Sequence, residues 1–370
     1  MDKASEYTAI IFEKIQIQIN HSHIKMTQKN VIFRGLPLIL LLLLAIPEMG
    51  YAQHTTADKV AAKPLFRDPL FDGAADPTVI WSKKDKKWLM FYTNRRANVK
   101  NADGVEWVHG TPIGVAESTD GAIWKYRDTC NINYRPDKGY TFWAPEIIEH
   151  KGLYHMYLTY VPGIFKEWRH PRYIVHLTSK DLMNWKFESK LPLASERCID
   201  ACVFRLPDGT WRMYYNNELA GKSMFYADSK DLYTWKDSGE KVVGDRGGEG
   251  PYVFRWKEKI WMMVDNWQGL GIYSSDDYVT WKRQPKNILQ EPGTGLDDQV
   301  IGGHPCVVVS ADRAYIFYFT HPGRTPENNG KDSFETRRSS IQVAELEYVD
   351  GQIVCNRDKQ VTMNLKPTVK

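Results

Sequence analysis

The chain has 370 residues, of which 42% are apolar, 13% aromatic and 25% charged, and its formal net charge is +4. This composition excludes an intrinsically disordered chain, because it supplies enough apolar side chains for a large core. The small net charge and the absence of a concentrated basic patch in the sequence argue against a nucleic-acid partner. The five cysteines show no CxxC or zinc-finger spacing, and we predict no disulfide between Cys198 and Cys202.

The first part of the chain, residues 1–52, has the pattern of a secretory signal peptide. An apolar run, LPLILLLLLAI at 36–46, follows Lys29 and Arg34, and small residues in the next segment suit a cleavage site. The run is shorter than the ~20 residues that span a bilayer, so we expect no stable membrane anchor. The sequence therefore predicts a secreted or periplasmic protein.

The remaining residues, 53–370, are expected to form a single domain. Met26 would give the signal peptide a more ordinary beginning than Met1 does. In that interpretation residues 1–25 are an over-extended start.

The predicted domain contains a repeat of about 45 to 65 residues, a period typical of propeller folds. Each copy begins with a short strand-like run that carries a leading polar residue: DPTVIW (76–81), APEIIEH (144–150), DACVFRL (200–206), EGPYVFRW (249–256) and HPCVVV (304–309). A turn and a second, aromatic strand follow in each copy: KWLMFYTN (87–94), LYHMYLTY (153–160), TWRMYYNN (210–217), IWMMVDNW (260–267) and AYIFYFTH (314–321). These pairs predict five structural units.

Four of the units end in the pattern Ser-x-Asp-x-x-x-Trp. The copies are STDGAIW (118–124), SKDLMNW (179–185), SKDLYTW (229–235) and SDDYVTW (275–281). An aspartate at a turn accepts hydrogen bonds from nearby amides, and the tryptophan can pack between sheets, so the motif predicts the hairpin between a third and a fourth strand. We interpret these aspartates as structural. The fifth unit lacks the motif and ends in an alternating strand, a turn and a further strand at 341–354.

Five units of four strands predict an all-β fold, a five-bladed β-propeller with four-stranded antiparallel blades around a central channel. In this architecture the first strand of each blade lines the channel, so its leading residue faces one end of it. The leading polar residues are Asp76, Glu146, Asp200, Glu249 and His304. The sequence therefore predicts a ring of ionisable groups around one pocket.

Converging carboxylates of this kind repel one another, so at least one of them holds a proton near neutral pH. A protonated acid that faces an ionised carboxylate can hydrolyse a glycosidic bond, because one group protonates the leaving oxygen and the other activates water or attacks carbon. The chain has no Gly-rich phosphate loop, HExxH or GxSxG motif. The pattern favours an enzyme that acts on an oligosaccharide or polysaccharide.

The five leading motifs resemble those of family 43 glycoside hydrolases and related five-bladed propellers. They read AADPTVI, FWAPEII, CIDACVF, GGEGPYVF and GGHPCVV, in this order and at propeller spacing. The resemblance covers about residues 64–350 and implies a reaction that inverts the anomeric centre. It implies Asp76 as general base, Glu249 as general acid and Asp200 as the carboxylate that orients the acid and tunes its pKa.

Three positions depart from the family pattern. Glu146 stands where an aspartate is usual, Ala201 takes the place of a proline, and Pro305 follows His304 directly. The first two suggest a reshaped sugar pocket. The resemblance also implies a water or metal ion on the axis near His304, so we expect no required cofactor but consider a structural Ca²⁺ in the central channel, an inference that the third departure weakens.

Aromatic and cationic side chains near these motifs are candidate substrate contacts. Trp143 and Trp267 can stack on a sugar face, as can Trp107 and Tyr140. The candidate cations and histidines are Arg95, Arg96, His170, Arg172, Arg246, His321 and Arg324. An arginine fork suits a carboxylate or sulfate on a sugar, so an anionic polysaccharide fragment is one hypothesis. The alternative is that these cations pair with the carboxylates of the pocket itself.

The sequence thus favours an exo-acting glycoside hydrolase that removes a terminal sugar from plant or algal polysaccharide fragments. Two alternatives remain open: an inverting glycoside phosphorylase, which uses phosphate in place of water, and a non-catalytic sugar-binding propeller. The Ser-x-Asp-x-x-x-Trp repeats also resemble the Asp-boxes of sialidases. Those enzymes are six-bladed, whereas this chain has five units.

Overall fold

Strands account for nearly all regular structure in the computed structural model, which describes residues 57–328 and 330–367. The predicted signal peptide, residues 1–52, lies outside the described residues. In the described part the helical elements are one turn of α-helix, α1 (Phe334–Arg337), and three short 3₁₀ turns, Glu106–Val108, Glu218–Ala220 and Pro326–Asn328. None of them has the length and apolar character that crossing a bilayer requires.

A short strand near the beginning of the described chain, β1 (Lys59–Val60), pairs antiparallel with the last one, β23 (Thr362–Met363). The other strands form five sheets. The first contains β2 (Ala74–Ser82), β3 (Lys87–Asn94), β4 (Ile113–Ser118) and β5 (Lys125–Thr129). The second contains β7 (Thr141–His150), β8 (Leu153–Val161), β9 (Tyr173–Ser179) and β10 (Asn184–Lys190), and β6 (Asn131–Asn133) lies parallel to β10.

The remaining three sheets have four strands each. The third contains β11 (Cys198–Arg205), β12 (Trp211–Asn217), β13 (Ser223–Ser229) and β14 (Lys236–Val243). The fourth contains β15 (Glu249–Trp256), β16 (Lys259–Asp265), β17 (Leu270–Ser275) and β18 (Lys282–Arg283). The fifth contains β19 (Gly302–Ser310), β20 (Arg313–Thr320), β21 (Ser340–Val349) and β22 (Gln352–Cys355).

The first strands of the five sheets contact one another in a closed ring. The contacts run from β2 to β7, β7 to β11, β11 to β15, β15 to β19, and β19 back to β2. The predicted five-bladed β-propeller is therefore confirmed.

The second strand of each blade is buried on both faces. In β3 every residue after Lys87 is buried, and the same holds for β16 after Lys259. A strand with two buried faces reads as a continuous apolar run rather than an alternating one, which explains the aromatic segments in the sequence. Five apolar clusters, one between each pair of neighbouring blades, form the core.

The Ser-x-Asp-x-x-x-Trp motifs form the predicted hairpins between third and fourth strands. In the second blade the hydroxyl of Ser179 accepts from the amide of Leu182 at 2.9 Å, and Oδ1 of Asp181 accepts from two further amides. The indole N–H of Trp185 donates to the Leu182 carbonyl at 2.9 Å. The first and third blades repeat this arrangement.

The fourth blade keeps the turn but lacks the tryptophan hydrogen bond. The Tyr278 carbonyl, which is the equivalent acceptor, accepts instead from the Tyr214 hydroxyl at 2.6 Å and from Nη1 of Arg212 at 3.2 Å. The indole N–H of Trp281 has no hydrogen-bond partner among the described residues. In this blade the carbonyl links the turn to the third blade.

The five cysteines are free, and all but Cys355 are buried. Cys198 and Cys202 form no disulfide, as predicted.

Candidate active site

Each first strand carries a β-bulge near its beginning, and these bulges build the site. The strand ladders shift register at this point in all five blades. One residue of each bulge has a left-handed backbone, with φ of 51° at Asp76, 41° at Ala144, 58° at Asp200, 58° at Gly250 and 39° at His304. A bulge bends the strand and redirects a side chain, which is why bulges are frequent beside active sites.

The predicted ring of polar residues does not occupy one equivalent position. Asp76, Asp200 and His304 stand at the left-handed position of their bulges. Glu249 lies one residue before the left-handed Gly250, and Glu146 lies two residues after the left-handed Ala144. A bulge interrupts the alternation of side-chain directions along its strand, so the position relative to the bulge decides which of the five face the pocket.

Glu146 corrects the sequence-based prediction of a substrate contact, because it is buried away from the pocket lining. Its Oε1 accepts from the Val203 amide at 3.1 Å and its Oε2 from the Thr78 hydroxyl at 3.4 Å. Burial raises the pKa of Glu146 to about 8, so the side chain is a neutral acid at pH 7.

Two predicted arginine contacts also lie elsewhere. Nε of Arg96 donates to the His109 carbonyl at 2.6 Å and Nη2 to the Glu106 carbonyl at 2.8 Å, so Arg96 braces the long insertion of the first blade. Arg246 is exposed in the turn before β15 and does not line the pocket. Closeness to a motif in the sequence did not predict a pocket contact for these two arginines, because side chains of a loop can point to either side of the chain.

A pocket of about 760 Å³ opens among the bulges, with lining residues from all five blades. The predicted residues that line it are Asp76, Arg95, Trp107, Trp143, Arg172, Asp200, Glu249, Trp267, His304, His321 and Arg324. The carboxylates of three different blades thus meet in one pocket.

Asp76 is held in its ionised form. Nη2 of Arg95 lies 3.0 and 3.2 Å from its two carboxylate oxygens, and Nδ1 of His304 lies 3.5 Å from Oδ1. Burial alone raises the pKa of Asp76, but Arg95, His304 and a hydrogen bond from Thr93 outweigh it, so the net pKa falls below the ordinary value. A carboxylate with these partners can accept a proton from water.

Asp200 has the opposite electrostatic environment. Its Oδ2 accepts from the Gly250 amide at 3.0 Å, and Arg95 pairs with Asp76 rather than with it. Burial and the charges of Glu249 and Asp76 raise the pKa of Asp200 well above its usual range. This part of the pocket therefore retains a proton near neutral pH.

Asp265 is a pocket carboxylate that the sequence analysis missed. It ends β16 directly opposite Glu249, and its oxygens accept from the amides of Trp267 at 2.8 Å and His304 at 2.9 Å. Burial and the charge of Glu249 raise the pKa of Asp265 to about 7. Strand pairing could have indicated it, because a polar residue at the end of an otherwise apolar second strand lies across from the bulge.

Comparisons with known proteins identify the family of the chain. The pattern of glycosyl hydrolases family 43 matches residues 66–266, which is more than half of the chain. The chain belongs to glycosyl hydrolase family 43. Membership makes it a glycosidase. No protein with a curated description matches the sequence.

Solved structures of family 43 share the fold. A thermostable family-43 glycoside hydrolase is 19% identical with a TM-score of 0.60, over 81% of this chain and 100% of that chain. A family-43 β-1,3-galactosidase with galactodeoxynojirimycin is 15% identical with a TM-score of 0.57, over 81% and 97%. A β-xylosidase/α-arabinofuranosidase from a compost metagenome, in complex with xylotriose, is 16% identical with a TM-score of 0.53, over 85% and 100%.

Aromatic side chains of this family-43 propeller border the pocket. Trp143 lines it but is only 9% exposed, and its indole N–H donates to the Val108 carbonyl at 2.7 Å. Trp267, which was predicted, and Trp168, which was not, are 41% and 52% exposed. These two offer more open ring area for stacking on a sugar than Trp143 does.

The residues present do not fit the Ca²⁺ that the family resemblance implied. Ca²⁺ takes six to eight oxygen ligands. The positions that follow the bulges include Cys202 and Cys306, whose sulfur atoms are poor ligands for this ion. Within the described residues no group of three or more His, Cys, Asp or Glu side chains is placed to hold a metal ion.

Proposed function

We propose that this protein is an exo-acting, inverting glycoside hydrolase, secreted or periplasmic, that removes a terminal sugar from plant or algal polysaccharide fragments. The observation that carries the proposal is the contrast between the two sides of one pocket. Asp76 is ionised beside Arg95, whereas Asp200 and Asp265, on either side of Glu249, have raised pKa values.

Asp76 acts as general base in this proposal. It takes a proton from a water molecule, which attacks the anomeric carbon from the face opposite the leaving group. Arg95 keeps the base ionised, and His304 contributes to the same field. In inverting enzymes the two carboxyl groups lie about 6.5–9.5 Å apart, which leaves room for that water.

Glu249 acts as general acid. Among the three crowded carboxyls, Asp200 and Asp265 are 6% and 4% exposed, whereas Glu249 is half-buried. Glu249 is therefore the member that can deliver the shared proton to the glycosidic oxygen. Asp200, which accepts from the amide that follows Glu249, orients the acid and tunes its pKa.

The first test is sugar release from a panel of xylo-, arabino- and galacto-oligosaccharides, with and without inorganic phosphate. The panel follows the substrates named for the structural neighbours. Glu249→Gln and Asp76→Asn should each lower the rate by about 10² or more, the scale of a lost acid or base catalyst. Glu240→Gln, which changes an exposed glutamate of the third blade, is the matched control and should retain full activity.

Release of a free monosaccharide without phosphate would support the proposal. A strict need for phosphate, with a sugar phosphate as product, would instead identify a phosphorylase. Binding of a panel member without any turnover would indicate a non-catalytic sugar-binding propeller.

A further inference from the structure

The pocket contains more cationic side chains than its carboxylates neutralise. Six lysine and arginine side chains line it: Arg95, Arg169, Arg172, Arg197, Lys222 and Arg324. Arg95 pairs with Asp76, and both Arg172 and Arg197 pair with Glu218. Among the described residues, the other three cations have no carboxylate partner within 4 Å.

Arg324 is the most firmly positioned of these three. Its Nε donates to the Thr336 carbonyl at 3.1 Å, and its guanidinium carbon lies 5.9 Å from the ring centre of Trp107. Its two terminal amino groups form no hydrogen bond with any described residue. The guanidinium is therefore held in place through Nε, while its two terminal amino groups stay available to bind a ligand.

The charge around Arg324 is positive on balance. Much of the side chain is exposed, but desolvation of the guanidinium and the charge of Arg95 lower the pKa of Arg324 to about 10 against the opposing charge of Asp332, which itself pairs with Arg337. Arg324 therefore stays cationic at neutral pH. His321 contributes no charge, because Nδ1 faces the Arg338 carbonyl at 2.9 Å and Nε2 faces Nη1 of Arg95 at 2.9 Å. That geometry requires a neutral ring with its proton on Nδ1, and burial lowers the pKa of His321 well below its usual range.

We propose that the pocket recognises a sugar with an anionic substituent, a carboxylate or a sulfate, and that Arg324 binds this substituent. The proposal rests on the proposed function, because it names the substrate class of the same site. It also assigns the cations to the two roles that the sequence left open, binding of an anionic ligand and pairing with the carboxylates of the pocket. Arg95 and Arg172 pair with the protein's own carboxylates, whereas Arg324 is left for the ligand.

An oxyanion bound at Arg324 would offset the positive charge of the unpaired cations in the pocket. Two parallel N–H donors match two oxygens of a carboxylate or sulfate, which a sugar hydroxyl cannot do. Trp107, which is 6% exposed, and His321 meet edge to face at 6.0 Å and form a stiff wall beside the guanidinium. The anion would therefore bind to a preformed site.

The test measures binding rather than turnover. Matched sets of galactose, galacturonate and galactose 6-sulfate, and of glucose, glucuronate and glucose 6-sulfate, are titrated calorimetrically into the full chain. We expect an anionic member to bind about tenfold or more tightly than its neutral counterpart, and Arg324→Gln to abolish this preference while neutral sugars bind as before. Arg324→Lys should restore part of the preference, and raised salt should weaken it.

Arg205→Gln is the matched control. Arg205 is exposed, as Arg324 is, its guanidinium carbon lies 5.4 Å from the ring centre of Trp211, and it has no carboxylate partner among the described residues, but it does not line the pocket. Its substitution should leave every affinity unchanged. Preference for uronates or for sulfated sugars identifies which anion the site takes.

Equal affinity for neutral and anionic sugars in both series would overturn the proposal. An equal loss of affinity for neutral and anionic sugars in Arg324→Gln would also overturn it. These outcomes are independent of the hydrolase test. Cleavage of neutral substrates that depends on Glu249, without an anionic preference, would leave the proposed function standing alone. Anion binding that depends on Arg324, without cleavage of any glycan, would leave this inference standing alone.

Discussion

Asp265 places a carboxyl group directly across the ladder from Glu249, the proposed acid. Its two oxygens accept hydrogen bonds from backbone amides, so the group is fixed in position. Ionised carboxyls this close repel each other, and burial together with the charge of Glu249 raises the pKa of Asp265 to about 7. We therefore assign Asp265 as a positioning residue for the acid.

Asp265→Asn tests this role. The variant removes the ionisable group and keeps one oxygen acceptor for the backbone amides. Because the pKa of Asp265 is about 7, the kcat/KM profile of the wild type should inflect near pH 7, and this inflection should be absent from the variant. Asp276→Asn, which changes an exposed aspartate of the same blade, is the control, and an inflection near pH 7 that persists in Asp265→Asn would contradict the assignment.

Glu146 makes a different prediction, about stability. Its pKa is about 8 in the folded protein and 4.5 in an exposed reference, so the folded state binds more protons between these values. Stability from this group is therefore greatest below pH 4.5 and is lost as the pH rises through 8. Glu146→Gln cannot ionise, so its melting temperature should exceed that of the wild type at pH 8.5 and approach it at pH 5. A constant difference between the two proteins over this range would contradict the pKa assignment.

The four Ser-x-Asp-x-x-x-Trp turns are not equivalent. Trp185 is 2% exposed and bonds its own turn, whereas Trp281 is half-buried and has no hydrogen bond. Trp185→Ala should lower the free energy of unfolding by about 3–5 kcal/mol, the range for a buried tryptophan. Trp281→Ala should lower the free energy of unfolding by clearly less. Denaturant titration of both variants checks this prediction. Equal decreases in the free energy of unfolding would show that turn geometry does not control the contribution of the tryptophan to stability.

Sequence predicted the strands well where both faces are buried. The predicted segment 87–94 is β3 itself, and 153–160 differs from β8 by one residue, because a run of buried aromatic side chains has clear ends. The pairing of β1 with β23 was not predicted. These strands have two residues each and depend on a partner about 300 residues away, for which no local pattern exists.

The site was predictable in part for the same reason. Asp76, Asp200 and Glu249 come from motifs at first strands, and they meet as expected. Glu146 was assigned to the pocket because it leads an apolar run, but it lies two residues after the left-handed position of its bulge, whereas Asp76 and Asp200 stand at that position. Arg172 and Arg324 could not be told apart from sequence, because only the distant Glu218 decides that one is paired.

In the part of the chain that the structure describes, the whole propeller is closed without exchange of a strand between its first and last blades. The end of the described chain crosses this junction. Val361, Met363 and Leu365 are buried in the cluster shared by the two blades, and Leu365 bonds Asp120 and Trp88 of the first blade.

Deletion of residues 361–370 should therefore destabilise the propeller by several kcal/mol. Each buried aliphatic side chain contributes about 1.5–3 kcal/mol, and the pairing with β1 is lost as well. Lys366→Ala, which truncates an exposed side chain of the same segment, is the control, and it should leave the melting temperature unchanged. Equal melting temperatures for the two variants would show that packing between the blades alone closes the ring.

The bulges repeat one backbone shape five times around the ring, yet the side chains they carry differ. Ala144 and Gly250 occupy the position that holds a carboxylate in Asp76 and Asp200. The backbone of the site thus repeats around the ring, and the chemical difference between the blades lies in a few side chains. A laboratory evolving new specificity could relocate acid, base or anion-binding groups from blade to blade without rebuilding the backbone that supports them.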